Sequence, residues 1–181
     1  FGVGNNYRWS VVSYTGAVQG TLTAACCSTF FAFSGGGAGS SQMARTAEGT
    51  GYWLLSYAGG VQAFGDATWA GEPDAYLPAE WSTIGIVARP RSAGAYWVLA
   101  DSGAIYTYGG AEYYGGANGA MLPGVTAAGM APTPSGNGYW IVGTDGSVFS
   151  FGDAQFYGNN LGGFPSGWYA VGIAPTPSGN G

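Results

Sequence analysis

Tryptophan recurs along this chain on a fixed beat. Trp9, Trp53, Trp97 and Trp140 are separated by 44, 44 and 43 residues. The last three keep matching company: Gly51-Tyr52-Trp53-Leu54-Leu55, Ala95-Tyr96-Trp97-Val98-Leu99 and Gly138-Tyr139-Trp140-Ile141-Val142. A period in the forties that carries its own aromatic anchor marks a repeat architecture. Each unit of such an array buries its apolar face on its neighbours. Recurring residues are therefore to be explained as packing before they are considered for chemistry.

The unit around Trp140 reads as short strands and turns. Asp145-Gly146 predicts a two-residue type I′ hairpin turn, with φ > 0 at both positions. Ser147 to Phe151 alternates in strand fashion. Phe151-Gly152-Asp153-Ala154 is a turn, Gln155 to Gly158 a further short stretch, and Val171-Gly172-Ile173-Ala174 another strand. No apolar period of 3.6 residues runs long enough for a helix. The other units agree. Gly59-Gly60 and Ser102-Gly103 hold the hairpin position, while Phe64-Gly65-Asp66-Ala67 and Tyr108-Gly109-Gly110-Ala111 hold the turn. Trp69, Tyr113 and Phe156 each lie 16 residues after their anchor, and Gly71, Gly115 and Gly158 lie 18 after it. About four short strands per unit is the arithmetic of a β-propeller blade. The Tyr-Trp pair and the aromatic 16 residues later suit the interfaces between blades.

The run Gly-Tyr-Trp, Asp-Gly-Ser-Val, Phe-Gly-Asp-Ala and Phe-Tyr-Gly, read from residues 138–158, resembles the propeller-like repeats of secreted actinobacterial surface and cell-wall-associated proteins. The resemblance covers most of residues 43–181. It implies an exposed, non-catalytic module that sits beside cell-wall hydrolase or other extracellular domains. The first unit departs from the pattern: Tyr7-Arg8-Trp9 is followed by one extra residue before Thr15-Gly16, and Thr21-Leu22-Thr23-Ala24 replaces the Phe-Gly-Asp-Ala turn.

The expected fold is thus all-β: one propeller domain over residues 1–181, with about four blades of 43–44 residues and a C-terminal half-unit at residues 171–181. Met43-Ala44-Arg45-Thr46, Met130-Ala131-Pro132-Thr133 and Ile173-Ala174-Pro175-Thr176 correspond, and nothing like them precedes Trp9. Residues 171–181 are expected to give a strand to the blade of Trp9 and close the ring, which would remove exposed sheet edges. The competing expectation is a segment of a longer array. The adjacent Cys26 and Cys27 leave three pairings open: a vicinal disulfide, two thiols, or bridges to another chain. Adjacent Cα atoms sit about 3.8 Å apart, nearer than most disulfides favour.

Composition excludes several functions. The charged residues are four Arg against nine Asp and Glu, giving a net charge of −5. That balance repels a polyanion, so no nucleic-acid partner is expected. No apolar run approaches the roughly 20 residues that span a bilayer, and no leader pattern opens the chain, so a signal peptide is expected to be absent or removed. The absence of His removes Ser-His-Asp and Cys-His catalysis and most zinc sites. Neither a metal nor a cofactor is expected, and the chain is not expected to be an enzyme. Asp66 and Asp153 recur in one turn and read as bonds to nearby backbone N–H groups. With only 7% of residues charged, the surface offers little repulsion against self-association.

The binding candidates are aromatics outside the anchors: Trp81 and Trp168 in corresponding loops, with Tyr113, Tyr114 and Tyr157. Flat rings beside Asn, Gly and carboxylates suit sugar rings, and the periodic placement of Trp81 and Trp168 equally suits a structural role. The expected function is a secreted, cell-surface binding or adhesion module for a glycan or cell-envelope polymer. The alternatives are a structural subunit of an extracellular assembly or filament, and the accessory repeat region of a cell-wall hydrolase.

Overall fold

The computed structural model describes residues 40–179, and every regular element among them is a β-strand. The unit of Trp9, the Cys26–Cys27 pair and the pairing partner for ring closure lie outside the described residues. The reading of residues 1–181 as one domain likewise extends beyond them.

The strands are β1 (Ser40–Arg45), β2 (Tyr52–Ser56), β3 (Val61–Phe64), β4 (Thr83–Ala88), β5 (Tyr96–Ala100), β6 (Ile105–Tyr108), β7 (Ala127–Pro132), β8 (Gly138–Gly143) and β9 (Val148–Gly152). They form three separate antiparallel sheets in the order β1-β2-β3, β4-β5-β6 and β7-β8-β9. Trp53, Trp97 and Trp140 stand in the central strands, opposite Ala44, Val87 and Ala131 respectively. The sheets pack in sequence order, β4 beside β1 and β7 beside β4. In β2 burial alternates, with Trp53 and Leu55 inside, as period-two side chains require. In β5, which has a sheet on either side, every residue is buried.

Two cores result. Between the first and second sheets lie Trp53, Leu55, Ile86, Tyr96 and Val98. Between the second and third lie Trp97, Leu99, Met130, Tyr139 and Ile141.

Three expectations about the unit change. The sheets have three strands where four were expected. Residues 155–158 and 171–174 join no ladder among the described residues. The stretch after each turn is tied down by side chains. Trp53 Nε1–H donates to the Thr68 carbonyl (2.9 Å), Trp97 Nε1–H to Glu112 (2.9 Å) and Trp140 Nε1–H to Gln155 (2.8 Å). An indole N–H must find an acceptor when buried, and here it captures a carbonyl 15 residues on, so that segment is held without a strand partner.

The hairpin turns are not type I′ either. Gly146 N–H donates to Gly143 and Gly143 N–H to Ser147, and only Gly146 takes positive φ (85°). This is a type I turn closed by a left-handed glycine, the three-residue hairpin with a bulge. Gly59 and Gly103 close the other hairpins with the same bonds.

Finally, the aromatic 16 residues after each anchor lies outside the core. The ring that packs between sheets is the tyrosine before the anchor. Tyr96 O–H donates to the Gly71 carbonyl (2.6 Å) and accepts from Ala70 N–H (3.2 Å). Tyr139 O–H does the same with Gly115 (2.7 Å) and Tyr114 N–H (3.2 Å). The ring of Tyr108 or Phe151 lies over the glycine so used; a Cβ on Gly71 or Gly115 would stand 2.6 Å from a ring carbon.

The recurring turn aspartate holds each outer unit shut. Asp66 accepts from Thr46 (2.7 Å) and Thr50 (2.5 Å), and Asp153 from Thr133 (2.8 Å) and Ser135 (2.5 Å). The donors are side-chain hydroxyls where nearby backbone N–H groups were expected, and only for Asp66 does the residue's own N–H contribute as well. In the middle unit Arg89 stands where the others have Thr, and Gly110 where they have Asp. Arg89 donates to the Gly110 carbonyl (3.2 Å) and also reaches Gly136 (3.0 Å) and Asn137 (3.4 Å) of the next unit.

Two outcomes follow from this packing. Gly115 and Gly158 both take positive φ (131° and 117°), but no atom of the described residues lies within 4 Å of a Cβ on Gly158. Both Ala variants carry the backbone strain, so urea unfolding should find Gly115→Ala the more destabilising by about 1–3 kcal/mol, the usual cost of overpacking. Burial raises the Tyr139 phenol from 10.0 to about 12. Its contribution to stability is therefore complete below pH 10 and lost as pH rises toward 12. Denaturant titrations at stepped alkaline pH should show that fall, and Tyr139→Phe should make it shallower.

Candidate functional site

The aromatic surface is built by the same bonds that build the fold. Once the indole N–H has fixed the carbonyl 15 residues on, the next side chain is turned away from the core. Trp69, Tyr113 and Phe156 occupy that position, and their exposures are 56%, 58% and 53%. Three units thus present one ring each at one register, equally accessible. The spacing places all three between blades, Tyr113 alone doubling as a binding candidate, and the structure exposes all three. The residues held a signal. The buried anchor is Trp every time because its N–H has a fixed acceptor, whereas the exposed position changes from Trp to Tyr to Phe.

The remaining candidates separate. Tyr114 packs edge-on against Tyr139 (5.8 Å, 62°) and donates to Glu112 (3.2 Å), so much of it serves the interface between units. Tyr157, its counterpart in the third unit, is 48% exposed. Trp81 is half-buried, while Trp168 at the corresponding place is 71% exposed. Trp168 lines an open cleft of about 460 Å³ with Leu122, Val125, Asp145, Leu161 and Phe164. Trp81, Tyr113, Tyr114 and Tyr157 do not line it. The cleft mixes apolar walls with one carboxylate whose Oδ1 already accepts from Ser147 N–H (2.9 Å) and Oγ–H (2.6 Å).

The carboxylates of Asp66, Glu72 and Asp153 serve the fold. Glu72 accepts from Val61 N–H (2.6 Å). The hydroxyl of Thr50, then that of Thr46, holds the Asp66 carboxyl below its ordinary range. Among the described residues no three His, Cys, Asp or Glu side chains converge as metal ligands. No helix there is long and apolar enough to cross a membrane. What the site offers is flat apolar rings with hydrogen-bonding neighbours. No family model, curated protein or solved structure matches the chain.

Proposed function

We propose that this chain is a secreted, non-catalytic module of the cell surface that binds a glycan or another cell-envelope polymer, built as a propeller-type array. The observation that carries this reading is the row of Trp69, Tyr113 and Phe156, exposed to 53–58% at one register of successive units. A repeating set of rings matches a repeating ligand, because each ring can stack on the apolar C–H face of one sugar. Trp168 in its cleft adds a further ring beside Asp145. A role as the accessory region of a cell-wall hydrolase fits the same surface, with catalysis in another domain.

Sedimentation with insoluble cell-wall glycan is the direct test. Trp69→Ala, Tyr113→Ala and Phe156→Ala should each weaken binding about two- to tenfold, in line with about 0.5–1.5 kcal/mol per aromatic contact. Each should leave stability within about 0.5 kcal/mol, since the rings are largely exposed. Retention of full binding in the triple variant would sink the reading. Trp168→Ala measured alone reports whether the cleft takes part.

A second reading, a structural subunit of an extracellular assembly, is favoured by the exposed run Trp168, Tyr169 and Val171 (71%, 65% and 80%).

A further inference from the structure

The contact between units is seen twice among the described residues, and a third copy of its receiving half has no partner there. In the first two units, the residue 17 after the anchor offers its N–H and the glycine after it offers its carbonyl. The tyrosine of the next unit takes both. The strand that follows in sequence, β4 or β7, is hung on the same unit by one backbone bond, Thr83 N–H to Tyr57 (3.0 Å) or Ala127 N–H to Asp101 (2.7 Å). It then pairs with the strand that carries the tyrosine.

The third unit repeats the receiving half. Tyr157 and Gly158 stand at those positions, and Gly158 has φ 117° against 132° and 131° for Gly71 and Gly115. Ala170 N–H donates to Thr144 (3.0 Å), the counterpart of the bonds that hang β4 and β7. Gly172 lies against Gly129, and Gly179 N–H closes onto Thr176 (2.9 Å) as Gly136 does onto Thr133. Residues 170–176 therefore lie where β4 and β7 lie in their units, with the same sequence pattern, yet no strand among the described residues pairs with them. Ala174 is exposed where Ala131 is buried, Val171 is 80% exposed, and no atom of the described residues lies within 4 Å of a Cβ on Gly158.

We propose that Tyr157, Gly158 and residues 170–176 form a docking site for a β-hairpin of Gly-Tyr-Trp repeat chemistry. The incoming strand would pair with residues 171–175. Its tyrosine hydroxyl would donate to the Gly158 carbonyl and accept from Tyr157 N–H, and its second strand would lay an aromatic ring over Gly158. Backbone pairing supplies affinity, and the tyrosine and the glycine supply selectivity. The site continues an interface already made twice, and it is independent of the glycan reading.

The test uses the full chain and a labelled synthetic peptide with the sequence of residues 136–153, followed by fluorescence anisotropy. Saturable binding is expected. It should weaken by about tenfold when the peptide's tyrosine becomes Phe, as loss of a paired hydroxyl implies, and by more in Gly158→Val, where a side chain fills the seat of the ring. Should the chain form oligomers by itself, peptide or Gly158→Val should dissociate them. Absence of saturable binding, binding indifferent to both changes, or oligomers that neither disturbs would each overturn the proposal. Because the positive φ of Gly158 strains any side chain placed there, Gly172→Val is the control variant: Gly172 has no positive φ and no described atom lies within 4 Å of a Cβ on it, so this variant should keep the melting temperature of the unchanged protein while weakening binding.

Discussion

A tyrosine hydroxyl seated on a glycine carbonyl holds the second described sheet to the first and the third to the second. The contact is demanding. It needs a glycine, because the ring of the next unit's third strand occupies the volume of any Cβ there. It needs the preceding N–H turned the same way, so that the hydroxyl both donates and accepts. And it needs that loop fixed, which the anchor's indole achieves through the carbonyl 15 residues on. Trp and Tyr are adjacent because one secures its own unit and the other reaches back to the previous one. A buried phenol left without these partners would cost stability, which is why register between units is so tightly set.

The same arrangement explains the surface. A loop tied by its carbonyl turns its next side chain outward, so the residue at that position is exposed in all three described units. The middle unit shows that the latch at the far end of the sheet has more than one solution. Where Asp66 and Asp153 gather hydroxyl bonds, Gly110 offers only its carbonyl, and Arg89 takes over while also reaching the third unit.

Much of this was legible in the residues. The beat of Trp53, Trp97 and Trp140 placed the repeat units, and the alternation around Val148 and Phe149 placed one strand, β9. The turn glycines were located correctly, although their turn type was not: Asp145-Gly146 looks alike in a two-residue and a three-residue hairpin, and the choice lies in which carbonyl the glycine N–H meets. The packing role that spacing suggests for Trp69, Tyr113 and Phe156 fails for a related reason. A periodic aromatic is compatible with either face of a segment that is not a strand. Trp81 and Trp168 have identical spacing, and only Trp168 stands largely exposed.

By itself the sequence determined the all-β class, the unit length and the buried identity of the anchors, because these rest on apolar pattern and turn chemistry within a few residues. Tertiary structure alone decided that each described sheet has three strands, which rings face solvent, and that residues 170–176 lie in strand position without a strand beside them. Those outcomes depend on hydrogen bonds between groups 15 to 26 residues apart. The indole bonds close a loop within one unit, those of 24 to 26 residues form only when two units meet, and no local pattern records either.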